Sequence, residues 1–230
     1  MKGLYAIVDT GFLARRGTDP IAFARAVLEA RPAFLQLRAK DVPARAILAL
    51  LRALGPLTRQ YGVPLVANDR ADLAALAGCD AVHIGQEDLP FDLVHRIAPQ
   101  LAVGMSTHDL AQLDRALAVK PRYVAYGPVF ATSTKANPDP VVGPEGLRLA
   151  TAKARAAGIP LVAIGGVTLE RAETIANDAD MFAVIADLYP DGASLADVTA
   201  RAKAFQRVFG VATDVPLERP SSRRLTTEVT

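Results

Sequence analysis

The sequence predicts a single (β/α)8 barrel, and two observations support this fold class. Short β-branched runs alternate with longer stretches of helical period, which is typical of βαβ units around a parallel sheet. The alternation repeats eight times in about 210 residues, near the small end of the size range of this fold. An open flavodoxin-like sheet is the less favoured alternative, and a doubly wound dinucleotide fold is disfavoured because the sequence has no G-x-G-x-x-G turn.

The eight predicted strands are short and apolar, and they cover residues 4–8, 34–38, 64–68, 81–84, 102–106, 123–127, 161–165 and 181–186. The stretches between them, such as "DPIAFARAVLEAR" and "PARAILALLRALGPLTRQY", begin with residues that favour helix starts. Residues 1–210 are therefore predicted to form the barrel. Residues 211–230 lose the periodicity and gain Pro, Ser and Thr, which predicts a mobile tail.

Composition and charge exclude several classes of protein. The 230 residues carry 26 basic and 24 acidic side chains, and no basic run suggests a nucleic-acid partner. Cys79 is the single cysteine, so neither an intrachain disulfide nor a cysteine-based metal cluster is expected. The first apolar run ends at Asp9, too early for a signal peptide, and no run approaches 18 apolar residues. The sequence predicts a cytoplasmic protein without a membrane partner.

The residues that follow the predicted strands are unusually polar. Because active sites of (β/α)8 barrels lie at the carboxyl ends of the strands, these are the candidate site residues. In strand order they are Gln36, Arg38 and Lys40, then Asn68 and Asp69, Asp88, Ser106, Thr132 to Lys135, Gly165 and Gly166, and Ile185 and Ala186.

This set of side chains suits phosphorylated substrates. Arg38, Lys40 and Lys135 can neutralise a diphosphate, and Asp69 with Asp88 supplies the oxygen ligands that Mg²⁺ prefers. The Gly165–Gly166 pair, followed by a helix, suits a second phosphate because glycine allows close approach of backbone N–H groups.

Simpler interpretations exist for several of these residues. Asn68 and Asp69 are candidate caps of the following helix, the glycine pair is equally typical of a tight turn, and the strand 2 residues are common on a solvated strand edge. His83 lies in mid-strand and is interpreted as an interior histidine rather than a general base, while His108 is interpreted as flanking a turn. The run "TSTK" at 132–135 is the hardest to explain without a ligand.

Six ordered motifs carry a resemblance to a known family: "QLRAKD", "VANDR", "AVHIGQEDL", "GMSTHD", "YGPVFATSTK" and "VAIGGV". With this order and spacing the chain resembles the thiamine-phosphate synthases over residues 4 to about 209. The resemblance implies a Mg²⁺-dependent transferase that joins hydroxymethylpyrimidine diphosphate to thiazole phosphate and releases pyrophosphate. It also implies small molecules as the partners and leaves a homo-oligomer open.

The resemblance also implies a role for each matched residue. The pyrimidine diphosphate would contact Gln36, Arg38, Lys40, Asn68, Ser106 and Lys135, of which Arg38, Lys40 and Lys135 would be catalytic. Asp69 and Asp88 would hold magnesium. The thiazole phosphate would contact Thr132, Ser133, Thr134, Gly166, Ile185 and Ala186. Strand 8 departs from the usual "AGADGVAVISAI", because Met181 replaces a glycine and Ala186 replaces a serine.

Two alternative functions follow from the same residues. The first is a thiazole tautomerase-like barrel enzyme, in which His108 would transfer a proton. The second is a non-catalytic barrel that binds thiamine intermediates. No Ser/His/Asp or Cys/His arrangement indicates a protein nucleophile, so catalysis by positioning and electrostatics is expected. The electron-rich aminopyrimidine would stabilise the positive charge that develops as the diphosphate leaves.

Overall fold

Eight parallel strands close into a barrel in a computed structural model that describes residues 1–132 and 139–212. Each strand pairs with the next along the chain, and the last strand pairs with the first. The strands are β1 (Gly3–Asp9), β2 (Phe34–Arg38), β3 (Leu65–Asn68), β4 (Ala81–Ile84), β5 (Ala102–Thr107), β6 (Tyr123–Tyr126), β7 (Leu161–Ile164) and β8 (Met181–Val184).

Helices connect the strands and cover the outside of the barrel. They are α1 (Thr10–Arg15), α2 (Pro20–Leu28), α3 (Ala44–Tyr61), α4 (Ala71–Ala77), α5 (Phe91–Ile97), α6 (Leu110–Ala118), α7 (Gly143–Ala156), α8 (Leu169–Thr174) and α9 (Leu195–Val208). Local signals set several of the starts. Asp19 accepts a hydrogen bond from the Ala22 N–H at the start of α2, and Ser194 with Asp197 forms a capping box at the start of α9.

The predicted fold class is confirmed, and closure of the barrel rules out the open flavodoxin-like sheet. All eight predicted strands occur, with ends that shift by at most two residues. The largest shift is at β8, which ends at Val184 rather than at residue 186 because a 3-10 turn, Ala186–Leu188, begins there. Residues 213–230 of the predicted tail lie outside the described residues.

The core has two layers, which follow from the alternation of side chains along each strand. One layer fills the space between strands and helices and includes Leu4, Val8 and Leu35. The other fills the interior of the barrel with side chains such as Tyr5, Phe34, Val66, Ala81, Tyr123, Val162 and Met181. Met181, at the position of a usual glycine, is fully buried in this inner layer. The interior is therefore packed, and a substrate has access only at its rim.

Helix α9 closes the barrel at the amino end of β1. The buried Gln206 side chain accepts a hydrogen bond from the Leu4 N–H at 2.8 Å and donates to the carbonyls of Ala30 and Arg31 at 3.2 and 2.5 Å. Gly3 is required here, because a Cβ at this position would lie 2.4 Å from Gln206 Oε1. Among the described residues, no helix is long and apolar enough to cross a membrane.

Candidate active site

A buried hydrogen-bonded chain lies beneath the carboxyl end of the barrel. Tyr5 Oη donates to Gln36 Oε1 at 2.5 Å, and Gln36 Nε2 donates to Asn68 Oδ1 at 2.7 Å. The Tyr5 and Tyr123 hydroxyls lie 2.7 Å apart. Tyr5, Gln36 and Tyr123 are each at most 2% exposed, so their polar atoms depend on one another for hydrogen bonds.

His83 continues this chain towards Ser106. Its Nδ1 lies 3.1 Å from Tyr123 Oη, and its Nε2 lies 2.8 Å from Ser106 Oγ. The imidazole stacks on the Tyr123 ring with centroids 5.6 Å apart. Burial lowers the pKa of His83 to about 4, so the ring is neutral near pH 7. These contacts agree with the interpretation of His83 as an interior histidine.

Arg38 lies at the rim with its guanidinium against the buried carboxylate of Asp9. Nη1 of Arg38 donates to Asp9 Oδ2, and Asp9 Oδ1 accepts from the Phe12 N–H at 2.8 Å as the N-cap of α1. Asp9 is 5% exposed, so it is a rigid anchor. The pair restricts Arg38 to one orientation and leaves other N–H groups of its guanidinium for a ligand.

Lys40, Asp69 and Asp88 form the charged part of the rim. Lys40 Nζ donates to Asp69 Oδ2 at 2.6 Å, and Asp88 Oδ2 accepts from the Gly85 N–H at 2.7 Å. Burial raises the pKa of the Asp88 carboxyl, the Gly85 hydrogen bond opposes the rise, and the neighbouring Asp69 charge adds to it. The two carboxylates are thus close enough to repel one another.

Asp69 has a left-handed backbone conformation that a tertiary hydrogen bond holds in place. Its φ of 63° lies in the left-handed region, which non-glycine residues rarely adopt. Its N–H donates to the His83 carbonyl at 2.8 Å, and this contact fixes the turn after β3. The simpler interpretation of Asn68 and Asp69 as helix caps does not hold, because Arg70 is the N-cap of α4, without a side-chain hydrogen bond. The strained turn instead directs the Asp69 carboxylate towards Lys40.

The glycine pair after β7 packs against the segment that follows β6. The Phe130 N–H donates to the Gly165 carbonyl at 3.0 Å, and a Cβ on Gly166 would lie 2.4 Å from the Ala131 carbonyl oxygen. Both glycines have positive φ, 93° and 62°. The pair therefore allows this close backbone approach of Phe130 and Ala131, the two residues before Thr132. Ser133, Thr134 and Lys135 lie outside the described residues.

The turn after β8 presents Ile185 and Ala186 at the rim. Ala186 is exposed, and the carboxylate of the next residue, Asp187, is bonded within the protein. Both oxygens of Asp187 lie 2.7 Å from Nη2 of Arg201, and Oδ2 accepts from the Leu169 N–H at 2.9 Å. Asp187 thereby joins α8, α9 and this turn, and its charge is compensated within the protein.

Comparisons with known proteins agree with this geometry. Residues 4–188 match the family model TMP-TENI, described as thiamine monophosphate synthase. The chain belongs to the thiamine monophosphate synthase family. It is 39% identical over 205 residues to a thiamine-phosphate synthase of Anaeromyxobacter dehalogenans, which covers 89% of this chain and 87% of the relative.

A second relative and a solved structure extend this result. The chain is 42% identical over 217 residues to a thiamine-phosphate synthase of Koribacter versatilis, with 90% of this chain and 95% of the relative covered. The structure of a thiamine phosphate pyrophosphorylase from Pyrococcus furiosus matches with a TM-score of 0.76 and 30% identity, over 90% of this chain and 95% of that one. The family predicted from the six motifs is confirmed.

Most of the site residues predicted from the sequence lie at one end of the barrel. Hydrogen bonds link Gln36 to Asn68 and Lys40 to Asp69, and Asp88 lies beside Asp69. Sequence reasoning missed three residues that connect or hold this set: Asp9, Tyr5 and Tyr123. Asp9 has a detectable signal, because it ends β1 as other polar residues end their strands. The two tyrosines have none, because an aromatic residue within a strand is typical of a core.

Proposed function

We propose that the protein joins hydroxymethylpyrimidine diphosphate to thiazole phosphate, forming thiamine phosphate and releasing pyrophosphate, in a Mg²⁺-dependent reaction. The protein is a member of the thiamine monophosphate synthase family, and one structural observation gives the strongest support to this proposal. Two cations and two carboxylates share one rim directly above a sealed, hydrogen-bonded barrel interior. Such a rim suits a substrate with a polyanionic end and a polar aromatic ring.

The diphosphate is assigned to Arg38, Lys40 and Lys135. The Asp9 anchor orients the Arg38 guanidinium before substrate arrives, which lowers the entropy lost on binding. Lys40 is half exposed and in contact with Asp69, so it can turn to a phosphate oxygen at modest cost. Lys135 belongs to the same assignment through the family motif.

Asp69 and Asp88 fit a magnesium ion that also contacts the substrate. Burial and, to a smaller extent, the charge of Asp69 raise the pKa of the Asp88 carboxyl, and a divalent cation between the two carboxylates would offset both effects. Mg²⁺ is commonly held by one or two carboxylates together with substrate phosphates, so two protein ligands are sufficient. Bound there, the metal would withdraw charge from the leaving diphosphate.

The chain itself contributes orientation and electrostatics rather than a nucleophile. Gln36, Asn68 and Ser106 are assigned to the aminopyrimidine end of the first substrate. Gly166, Ile185 and Ala186, together with Thr132, Ser133 and Thr134, are assigned to the thiazole phosphate. The pyrimidine methylene then lies between the leaving diphosphate and the thiazole nitrogen, and preorganised groups around it lower the barrier.

Pyrophosphate release, measured with both substrates and with each alone, tests this function. We expect release only when both substrates and Mg²⁺ are present, and complete loss in EDTA. Asp88→Asn should lower kcat by roughly 10²-fold or more, the order expected when one preorganised charged group is lost. The matched control is Asp92→Asn, an exposed carboxylate on α5, which should retain wild-type activity.

Three outcomes would contradict the proposal. Full activity in EDTA would exclude the metal assignment. If the protein converts thiazole phosphate alone, and His108→Ala loses that conversion, the tautomerase-like alternative is favoured. In the structure His108 Nδ1 lies 2.7 Å from the Gly127 carbonyl oxygen, a contact that anchors the segment after β6. Tight binding of both substrates by calorimetry without turnover would favour a binding protein.

A further inference from the structure

The buried polar chain beneath the rim has a single direction of hydrogen-bond donation. We propose that this direction holds His83 as its Nδ1–H tautomer and presents the Ser106 oxygen to the pyrimidine as a hydrogen-bond acceptor, which makes His83 a positioning residue. The chain spans six strands, and its members in order are Asn68, Gln36, Tyr5, Tyr123, His83 and Ser106.

The direction follows from counting protons. Gln36 uses its amide N–H towards Asn68, so its oxygen faces Tyr5 and can only accept. The single proton of the Tyr5 hydroxyl is therefore committed to Gln36 at 2.5 Å. Tyr5 must then accept at the 2.7 Å contact with Tyr123, so the Tyr123 proton points towards Tyr5.

The same count fixes the imidazole. Tyr123 has given its proton to Tyr5, so its oxygen must accept from His83 Nδ1 at 3.1 Å. A neutral imidazole carries one proton, which leaves Nε2 as an acceptor for the Ser106 hydroxyl at 2.8 Å. The imidazole is buried, and burial disfavours its charged form, so the ring is neutral. Every buried polar atom between the two ends then has a partner, as burial requires.

The consequence at the site is a defined pattern of donors and acceptors. Because the Ser106 proton is held by His83, the serine oxygen offers only lone pairs to a ligand. Asn68, whose oxygen already accepts from Gln36, also carries two amide N–H donors. On the proposed function, which this inference takes as given, Ser106 therefore suits the amino group of the pyrimidine and disfavours an oxo group at that position.

The tautomer is measurable in the protein without substrate, so this first test does not depend on the proposed function. The chain has three histidines, and ¹⁵N-histidine labelling with long-range ¹H–¹⁵N correlation reports which ring nitrogen carries the proton. His95→Gln and His108→Gln identify the remaining signals as His83. We expect protonation at Nδ1 near pH 7.5. Protonation at Nε2, or at both nitrogens, would overturn the proposal.

Tyr123→Phe separates a positioning role from a structural one. Without the Tyr123 oxygen, Nδ1 has no acceptor, so we expect the ¹⁵N signals of His83 to shift towards the Nε2–H tautomer, which donates to Ser106. Unchanged signals would contradict the proposal. The substitution retains the aromatic ring and its packing, so a purely structural role predicts no change of tautomer.

Calorimetric binding of two pyrimidine diphosphates tests selectivity without turnover. The wild type should bind the amino compound at least tenfold more tightly than its oxo analogue, equivalent to roughly 1.4 kcal/mol. Ser106→Ala should reduce this preference several-fold, and Asp92→Asn should leave it unchanged. Equal affinity of the wild type for both compounds would refute the acceptor role of Ser106. Binding of neither compound, together with Nδ1 protonation, would instead count against the proposed function.

Discussion

Gly104→Ala is expected to destabilise the barrel because Gly104 makes room for the Tyr123 ring. Gly104 lies on β5, directly beside Tyr123 in the register of β5 and β6. A Cβ at this position would lie 2.0 Å from Cζ and 2.4 Å from Oη of Tyr123. Ordinary contact begins at 3.4 Å, so the ring would have to retreat by more than 1 Å.

The surroundings of Tyr123 set the size of the effect. The ring is fully buried, and the Phe34 and His83 rings lie at centroid distances of 5.2 and 5.6 Å, so little space is left for it to move. Overpacking of this kind costs roughly 1–3 kcal/mol, and the hydroxyl stands to lose two hydrogen bonds of about 1 kcal/mol each. The total is about 3–5 kcal/mol, which corresponds to a fall in Tm on the order of 10 °C for a chain of this length.

Urea and thermal unfolding followed by circular dichroism measure this cost. The matched control is Gly55→Ala in α3, where a new Cβ meets only the end of the Arg59 side chain at 3.2 Å; its stability should stay the same or rise by up to about 1 kcal/mol. In a Tyr123→Leu background, Gly104→Ala should cost far less, because the ring is gone. A cost below about 1 kcal/mol in the wild-type background, or an equal cost in both backgrounds, would refute the steric explanation.

Three further predictions concern other parts of the chain. Asp187→Ala should lower the free energy of unfolding by roughly 1–3 kcal/mol, measured in urea, because it leaves Arg201 without its paired carboxylate; an unchanged value would contradict this. The pKa of His83 is about 4 in the folded state and near 6.5 in the unfolded state. Between these two pH values the unfolded state binds more protons, so the free energy of unfolding should fall by about 3 kcal/mol from pH 7 to pH 4. A His83→Gln variant with the same pH slope would disprove that contribution. Burial raises the pKa of Cys79 to about 12, so this single thiol should react with a disulfide reagent only on unfolding; fast reaction of the native protein would show otherwise.

The fold was predictable because its signal is repeated and local. Runs such as 34–38 and 81–84 coincide with the observed strands β2 and β4, since a strand buried on both faces must be apolar. The end of β8 was predicted less accurately. Ile185 and Ala186 are as apolar as the strand before them, and only the contacts of Asp187 with Arg201 and the Leu169 N–H reveal why the chain turns there.

The candidate site was predictable where a polar residue breaks an apolar pattern. Asp69 and Asp88 are conspicuous after their strands, but the left-handed backbone of Asp69 depends on a hydrogen bond to His83 on the next strand, which no local pattern encodes. Tyr5 and Tyr123 are 118 positions apart, and their 2.7 Å contact exists only after the barrel closes. Side chains whose role arises from closure are therefore the ones that sequence reasoning misses.

The hydrogen bonds of Gln206 at the amino end of β1 have a consequence for how the chain folds. The hydrogen bond from Leu4 to Gln206 joins residues 202 positions apart, and β1 also pairs with β8. Contacts of such long range carry a large loop-closure entropy and are reached late. A chain emerging from the ribosome exposes the free edge of β1 until β8 has been synthesised and can pair with it, and an exposed edge favours pairing with another chain. Strand β8 covers this edge and Gln206 of α9 caps its amino end, so a circular permutant that makes α9 and β1 neighbours in sequence would shorten the time for which the edge is exposed.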